Sequence, residues 1–180
     1  VGEIMTYDDL LGDVQKEFPG FKVEQKTKSW LMIVISYLLF FNRDFMTNFI
    51  TTIGSTMYVP DAWYTWHDNL KSEVLRHERV HLLQQKRYGM LLYSLLYLLI
   101  PLPFGLAWYR AQLEWEAYQE TMRCIAEEYG VEMLRNPSFK ENMLDHFTTG
   151  QYGWMWPFRS QVNKWYDDFV AVLEKDAISK

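Results

Sequence analysis

Apolar and polar positions change their spacing several times along the chain, and each change marks an element. In "TYDDLLGDVQKEF" (6–18) the apolar residues fit a helix, stopped by Pro19–Gly20. "FKVEQ" (21–25) reads as a short strand, and "SWLMIVISYLLFF" (29–41) as a buried helix, although periodicity alone leaves a strand open there. "DFMTNFITTIGSTMYVP" (44–60) is rich in Thr, Ile, Phe and Tyr, breaks at Gly54–Ser55 and ends at Pro60, which predicts a strand pair. In "HDNLKSEVLRHERVHLLQQKRYG" (67–89), Leu70, Val74, Leu75 and Leu82 recur at helical spacing. Asp68 or Asn69 is the expected N-cap and Gly89 the C-terminal stop. A second long helix is expected over "WYRAQLEWEAYQETMRCIAEEYG" (108–130), closed by Gly130. "PSFKENMLDHF" (137–147) and "RSQVNKWYDDFVAVLEK" (159–175) predict two more, separated by the aromatic loop "TTGQYGWMWPF". The sum is an α+β chain, mostly helical, with one small antiparallel sheet. No repeat and no Gly/Ser/Pro linker divides it, so residues 1–180 are expected to form a single domain.

Composition narrows the partners. The chain is 49% apolar and 17% aromatic, well outside the range of disordered segments. A net charge of −5 and the lack of a basic stripe argue against nucleic acid, since nothing is arranged to replace phosphate counterions. The densest basic cluster, "KVEQKTK" at 22–28, itself contains a Glu. Cys124 is the only cysteine, which excludes an internal disulfide and any cysteine-rich metal site and leaves a core thiol as the expectation. The first residues do not read as a charged-then-apolar leader. A cytoplasmic or virion-associated location is therefore expected over a secreted one.

One segment pulls towards a membrane. "MLLYSLLYLLIPLPFGLAWY" (90–109) carries no charge over a length close to a bilayer span, but Pro101 and Pro103 interrupt it. The expectation is a buried helix, with peripheral membrane contact through 90–109 as the alternative.

The chemistry sits in "HERVH" (77–81). A helix advances about 100° per residue, so His77 and His81 lie one turn apart, about 40° from each other round the axis. They can address one ion together, while Glu78 falls beside it. Zinc takes imidazole nitrogens at about 2.0–2.1 Å and, in catalytic sites, keeps one position for water. The ion lowers that water's pKa towards about 7, and an adjacent carboxylate takes its proton. H-E-x-x-H meets these demands at once. A shuffle of this composition produces the pattern in only roughly 0.6% of cases, so context must supply the rest.

Context comes from the helix around 108–130. With Glu114 at zero, Ala117, Tyr118, Thr121 and Ile125 fall within about 60° of it, while Glu116, Glu120, Arg123 and Glu127 cluster at about 180–240°. Glu114 is thus a carboxylate in the middle of an apolar stripe. A buried carboxylate needs a cation, and a metal held by two histidines supplies one. The other histidines, His67 and His146, are poorly placed by spacing.

H-E-x-x-H followed by a downstream helix with E-x-x-A resembles the gluzincin, thermolysin-like zinc metallopeptidases, here through His77, Glu78, His81, Glu114 and Ala117. The whole chain is similar to small HExxH proteins of phages and bacteria. The resemblance implies a zincin-like domain with His77, His81 and Glu114 as zinc ligands and Glu78 as general base. It also implies that "TTIGSTMYVP" (51–60) holds the edge strand that pairs with an extended peptide substrate. An oxyanion stabiliser from the C-terminal part is implied too, with His146, Tyr152 and Arg159 as candidates. Where many gluzincins carry an Asp four residues after the ligand Glu, to orient a histidine, this chain has Tyr118. The function expected is zinc-dependent hydrolysis of peptide bonds. The alternative is a zinc-binding structural or interaction protein in a larger assembly, for instance a phage particle.

Overall fold

In a computed structural model, residues 6–38, 44–98, 106–149 and 155–179 are described. They form a mostly helical α+β protein with one small three-stranded sheet. Two compact units divide the chain, residues 1–85 and 86–180, and the division falls inside the last turn of one long helix. Each unit has its own core.

The first unit opens with α1 (Tyr7–Glu17). Thr6 caps it reciprocally: the Asp9 backbone N–H donates to Thr6 Oγ1 at 3.2 Å, and the Thr6 hydroxyl donates to Asp9 Oδ2 at 2.6 Å. Strand β1 (Lys22–Gln25) follows, then a short 3-10 turn and α2 (Trp30–Leu38). Strands β2 (Thr51–Ile53) and β3 (Thr56–Val59) form the expected hairpin about Gly54–Ser55, with Thr52 opposite Met57. The sheet order is β1-β3-β2, so β2 lies at an edge. The pairing departs from the all-antiparallel expectation at β1, which runs parallel to β3 with Gln25 opposite Val59. The α2 segment intervenes between those two strands and lets the chain return in the same direction.

Helix α3 (Asp68–Tyr88) lays Leu75 and Leu82, two turns apart, into a core with Val14, Phe21, Met57, Val59 and Trp63. It starts with the Lys71 N–H donating to the His67 carbonyl, so Asp68 belongs to the first turn, where its charge suits the helix dipole. Gly89 ends it at φ +77°, a conformation that other residues adopt only under strain. Helix α2 corrects the expectation of a fully buried helix. Met32 packs with Phe45 and Tyr58, yet Trp30, Ile33, Val34 and Tyr37 are exposed.

The second unit contains α4 (Met90–Leu98), α5 (Leu106–Tyr129), α6 (Pro137–Thr148) and α7 (Arg159–Ile178). Its core gathers Trp115, Tyr118, Met122 and Ile125 of α5 with Leu144 and Phe147 of α6 and Val162, Tyr166 and Phe169 of α7. Edge-to-face contacts join Trp115 to Phe147 and Phe169. Helix α5 is therefore apolar over more of its circumference than the stripe around Glu114 alone, with Trp115 and Met122 widening it. The last turn of α3 belongs to this unit, where Arg87 Nη1 reaches Glu116 on α5 at 3.2 Å.

The uncharged segment 90–109 is helical over 90–98 and again from 106, with residues 99–105 outside the described residues. Against the buried-helix expectation, α4 exposes Met90, Leu91, Leu92 and Leu95, with Leu91 85% exposed. No helix among the described residues is long and apolar enough to cross a membrane.

Candidate functional site

Two sets of polar side chains are buried among apolar ones, one in each unit. In the first unit, α3 carries His77, Glu78 and His81 in its middle turns. The two imidazole rings sit 5.0 Å apart at 73°, as two residues one helical turn apart should. His81 is buried and His77 half-buried.

His81 Nδ1 lies 3.0 Å from Oε1 of Gln84, itself fully buried. An amide oxygen only accepts, so the contact favours the tautomer with the proton on Nδ1 and the lone pair on Nε2, from which histidine can bind a metal. Gln84 thereby does for His81 what the Asp replaced by Tyr118 was expected to do for a histidine. Its signal in the sequence was available, three residues on along the same helix, and was missed. Tyr118 instead stacks on His146 at 5.4 Å and packs against Phe147.

Glu78 is buried at 7% exposure, and the Thr52 hydroxyl donates to its Oε2 at 2.6 Å. Edge strand β2 therefore orients the carboxylate beside the two histidines. Nearby charge comes from Lys26, which follows β1 and is fully buried. Its Nζ donates to the Phe45 carbonyl at 2.6 Å and sits 3.9 Å from the centre of the Phe45 ring. Burial pushes this ammonium down to about 7, against the pull of the Glu78 carboxylate, which favours the charged form. Nothing in the sequence marks Lys26, which sits in the 22–28 cluster weighed only against nucleic-acid binding. Arg79, on another side of α3, ties it to α1 through Glu17 at 2.7 Å.

In the second unit, Glu114 is 6% exposed among Ala111, Leu113, Trp115, Ala117 and Tyr118 of its own helix. It is not a lone carboxylate there. The Tyr97 hydroxyl of α4 donates a hydrogen bond to Glu114 Oε1. Burial first, and then the Glu114 charge, push the Tyr97 phenol well above its ordinary range, so it keeps its proton and donates it in the hydrogen bond. Tyr93 stacks on Tyr97 at 5.5 Å, and the Arg110 guanidinium lies 5.2 Å from its ring centre.

The three candidates for oxyanion stabilisation fare differently. His146 is partly buried on α6 against Tyr118. Arg159 is engaged by carboxylates, with Nη1 at 2.7 Å from Asp145 and Nη2 at 2.5 Å from Glu141, and Nη1 also donates to Thr148 at 2.9 Å. Those bonds splice α6 to α7. Tyr152 lies outside the described residues.

Imidazole nitrogens and carboxylate oxygens are both donors to divalent metal ions. The first unit offers two imidazoles one turn apart on a helix, and the second a carboxylate buried among apolar side chains. Comparison with known proteins adds nothing to this reading: no family model, no curated protein and no solved structure matches the chain.

Proposed function

We propose that the protein is a metal-dependent hydrolase of peptide bonds in which His77, His81 and Glu114 hold a zinc ion and Glu78 is the general base. The observations that carry the reading are the His77 and His81 rings, 5.0 Å apart on α3, and, within the second unit, the Glu114 carboxylate buried in α5. The oriented tautomer of His81 and the burial of Glu78 beside it support the same assignment. The ion, when bound, supplies Lewis-acid polarisation of water and of the scissile carbonyl. Glu78, steadied by Thr52, accepts the proton of the attacking water and returns it to the departing amine nitrogen. Edge strand β2, next to that carboxylate, gives an extended peptide a backbone to pair with.

Glu78→Gln tests the assignment, because the amide keeps size and the Thr52 contact while losing the basic oxygen. Zinc content is expected to stay near one per chain while cleavage of an unstructured protein substrate falls by about 10²–10⁴-fold. Full zinc with undiminished cleavage would refute Glu78 as base. Full zinc with no cleavage in the wild-type chain, together with loss of the folded state in His77→Ala, would favour the structural zinc protein.

A second reading extends the first. The exposed apolar faces of α2 (Trp30, Ile33, Val34, Tyr37) and α4 (Met90, Leu91, Leu92, Leu95) suit a lipid surface, with Trp and Tyr at the ends of the α2 face. Flotation with neutral phosphatidylcholine vesicles tests it, and failure of the chain to float at low salt would dismiss membrane contact.

A further inference from the structure

Glu114 has two oxygens, and a ligand carboxylate that spreads both over a small ion takes up a position that catalysis needs for water. Tyr97 bears on which of them is offered. It reaches across from α4 to Oε1, and its ring is contacted by the Tyr93 ring, stacked at 23°, and by the Arg110 guanidinium. Tyr93 and Tyr97 are one turn apart on α4, as Arg110 and Glu114 are on α5, so two helix faces meet in a four-residue assembly. Helix α4 starts directly after Gly89, with the Tyr93 N–H donating to the Gly89 carbonyl at 2.9 Å, which places Tyr93 one turn and Tyr97 about two turns beyond that glycine.

We propose that Tyr97 is a positioning residue for the metal centre: its hydroxyl takes up Oε1 of Glu114 and assigns ligation to Oε2 alone. The inference rests on the metal-binding reading above and adds a residue outside the H-E-x-x-H and E-x-x-A patterns. One-oxygen ligation with two imidazoles leaves a fourth, tetrahedral position for water. Without the phenol, Oε1 is drawn to the ion, the coordination number rises, and the carboxylate loses its fixed rotamer. Partners that orient a ligand in this way commonly contribute 10–100-fold in metal affinity.

The test uses the full chain, stripped of metal and reloaded. Zinc affinity is measured by competition with a chromophoric chelator, and coordination number by the visible spectrum of the Co²⁺-loaded protein. Tyr97→Phe is expected to bind zinc about 10–100-fold more weakly and to weaken the Co²⁺ band, as four-coordinate cobalt becomes five-coordinate. A purely structural role would lower the metal-free unfolding midpoint yet leave the Co²⁺ spectrum of the folded protein unchanged. Affinity within about twofold of wild type with superimposable spectra would overturn the proposal and leave the three-ligand site standing. Should Tyr97→Phe not fold, the wild-type spectrum decides: an intense four-coordinate band supports it, and a weak five- or six-coordinate band overturns it. A wild-type chain that binds neither metal would remove the parent reading as well, so the two failures are distinguishable.

Discussion

Lys26 shows how far burial can move a single group. An ammonium with no solvent exposure titrates at about 7, whereas in the unfolded chain it keeps its ordinary value near 10.5. Between those two values the unfolded chain holds a proton that the folded one does not, so stability rises with pH across that window. Below about 7 both states are protonated, the penalty is complete and the slope vanishes. The slope from this residue is about 1.4 kcal/mol per pH unit at its steepest. Lys26→Met should abolish it. Denaturant unfolding of wild type and variant at pH 7 and pH 9.5 checks this, and identical differences at the two values would show that Lys26 is not held in a desolvated site. Gln84 is the matching case for hydrogen bonding. Gln84→Leu removes the acceptor on His81 Nδ1 and should cost about 10–100-fold in zinc affinity by chelator competition. Unchanged affinity would mean that something other than Gln84 orients the ring.

At the scale of elements, local signals were the most legible. The spacing of Leu75 and Leu82, the stop at Gly89, the hairpin about Gly54–Ser55 and the closure at Gly130 each recur in the structure within a residue or two. They are legible because a helix or a hairpin is closed by residues close in sequence. Gly89 makes this testable. A Cβ there would touch nothing within 4 Å, so Gly89→Ala should cost only the left-handed backbone penalty, about 1 kcal/mol, in denaturant unfolding. A cost of several kcal/mol would point to a packing role instead. The burial of α2 and α4 was misread for an equally physical reason. An uncharged run of residues says that water is disfavoured around it, but not what replaces the water, and both helices keep an apolar face exposed.

For the whole molecule, metal binding and folding are expected to be one equilibrium, because the proposed ligands come from α3 and α5 and are separated by more than thirty residues of sequence. Zinc at about a hundredfold over its dissociation constant should add roughly 2.7 kcal/mol to the folded state. Thermal unfolding with zinc and with chelator measures this. A midpoint that zinc raises equally in wild type and His81→Ala would sink the ligand assignment.

What the sequence determined by itself was the register of the chemistry. Backbone geometry, 100° per residue, aligns His77 with His81 and sets Glu114 among apolar neighbours whatever the rest of the chain does. Tertiary structure alone decided the company these residues keep: Thr52 on Glu78, Lys26 within reach of its charge, Tyr97 on Glu114, and a parallel partner for β1. Those contacts join residues 17 to 52 positions apart, and periodicity carries no information about which distant elements will pack together.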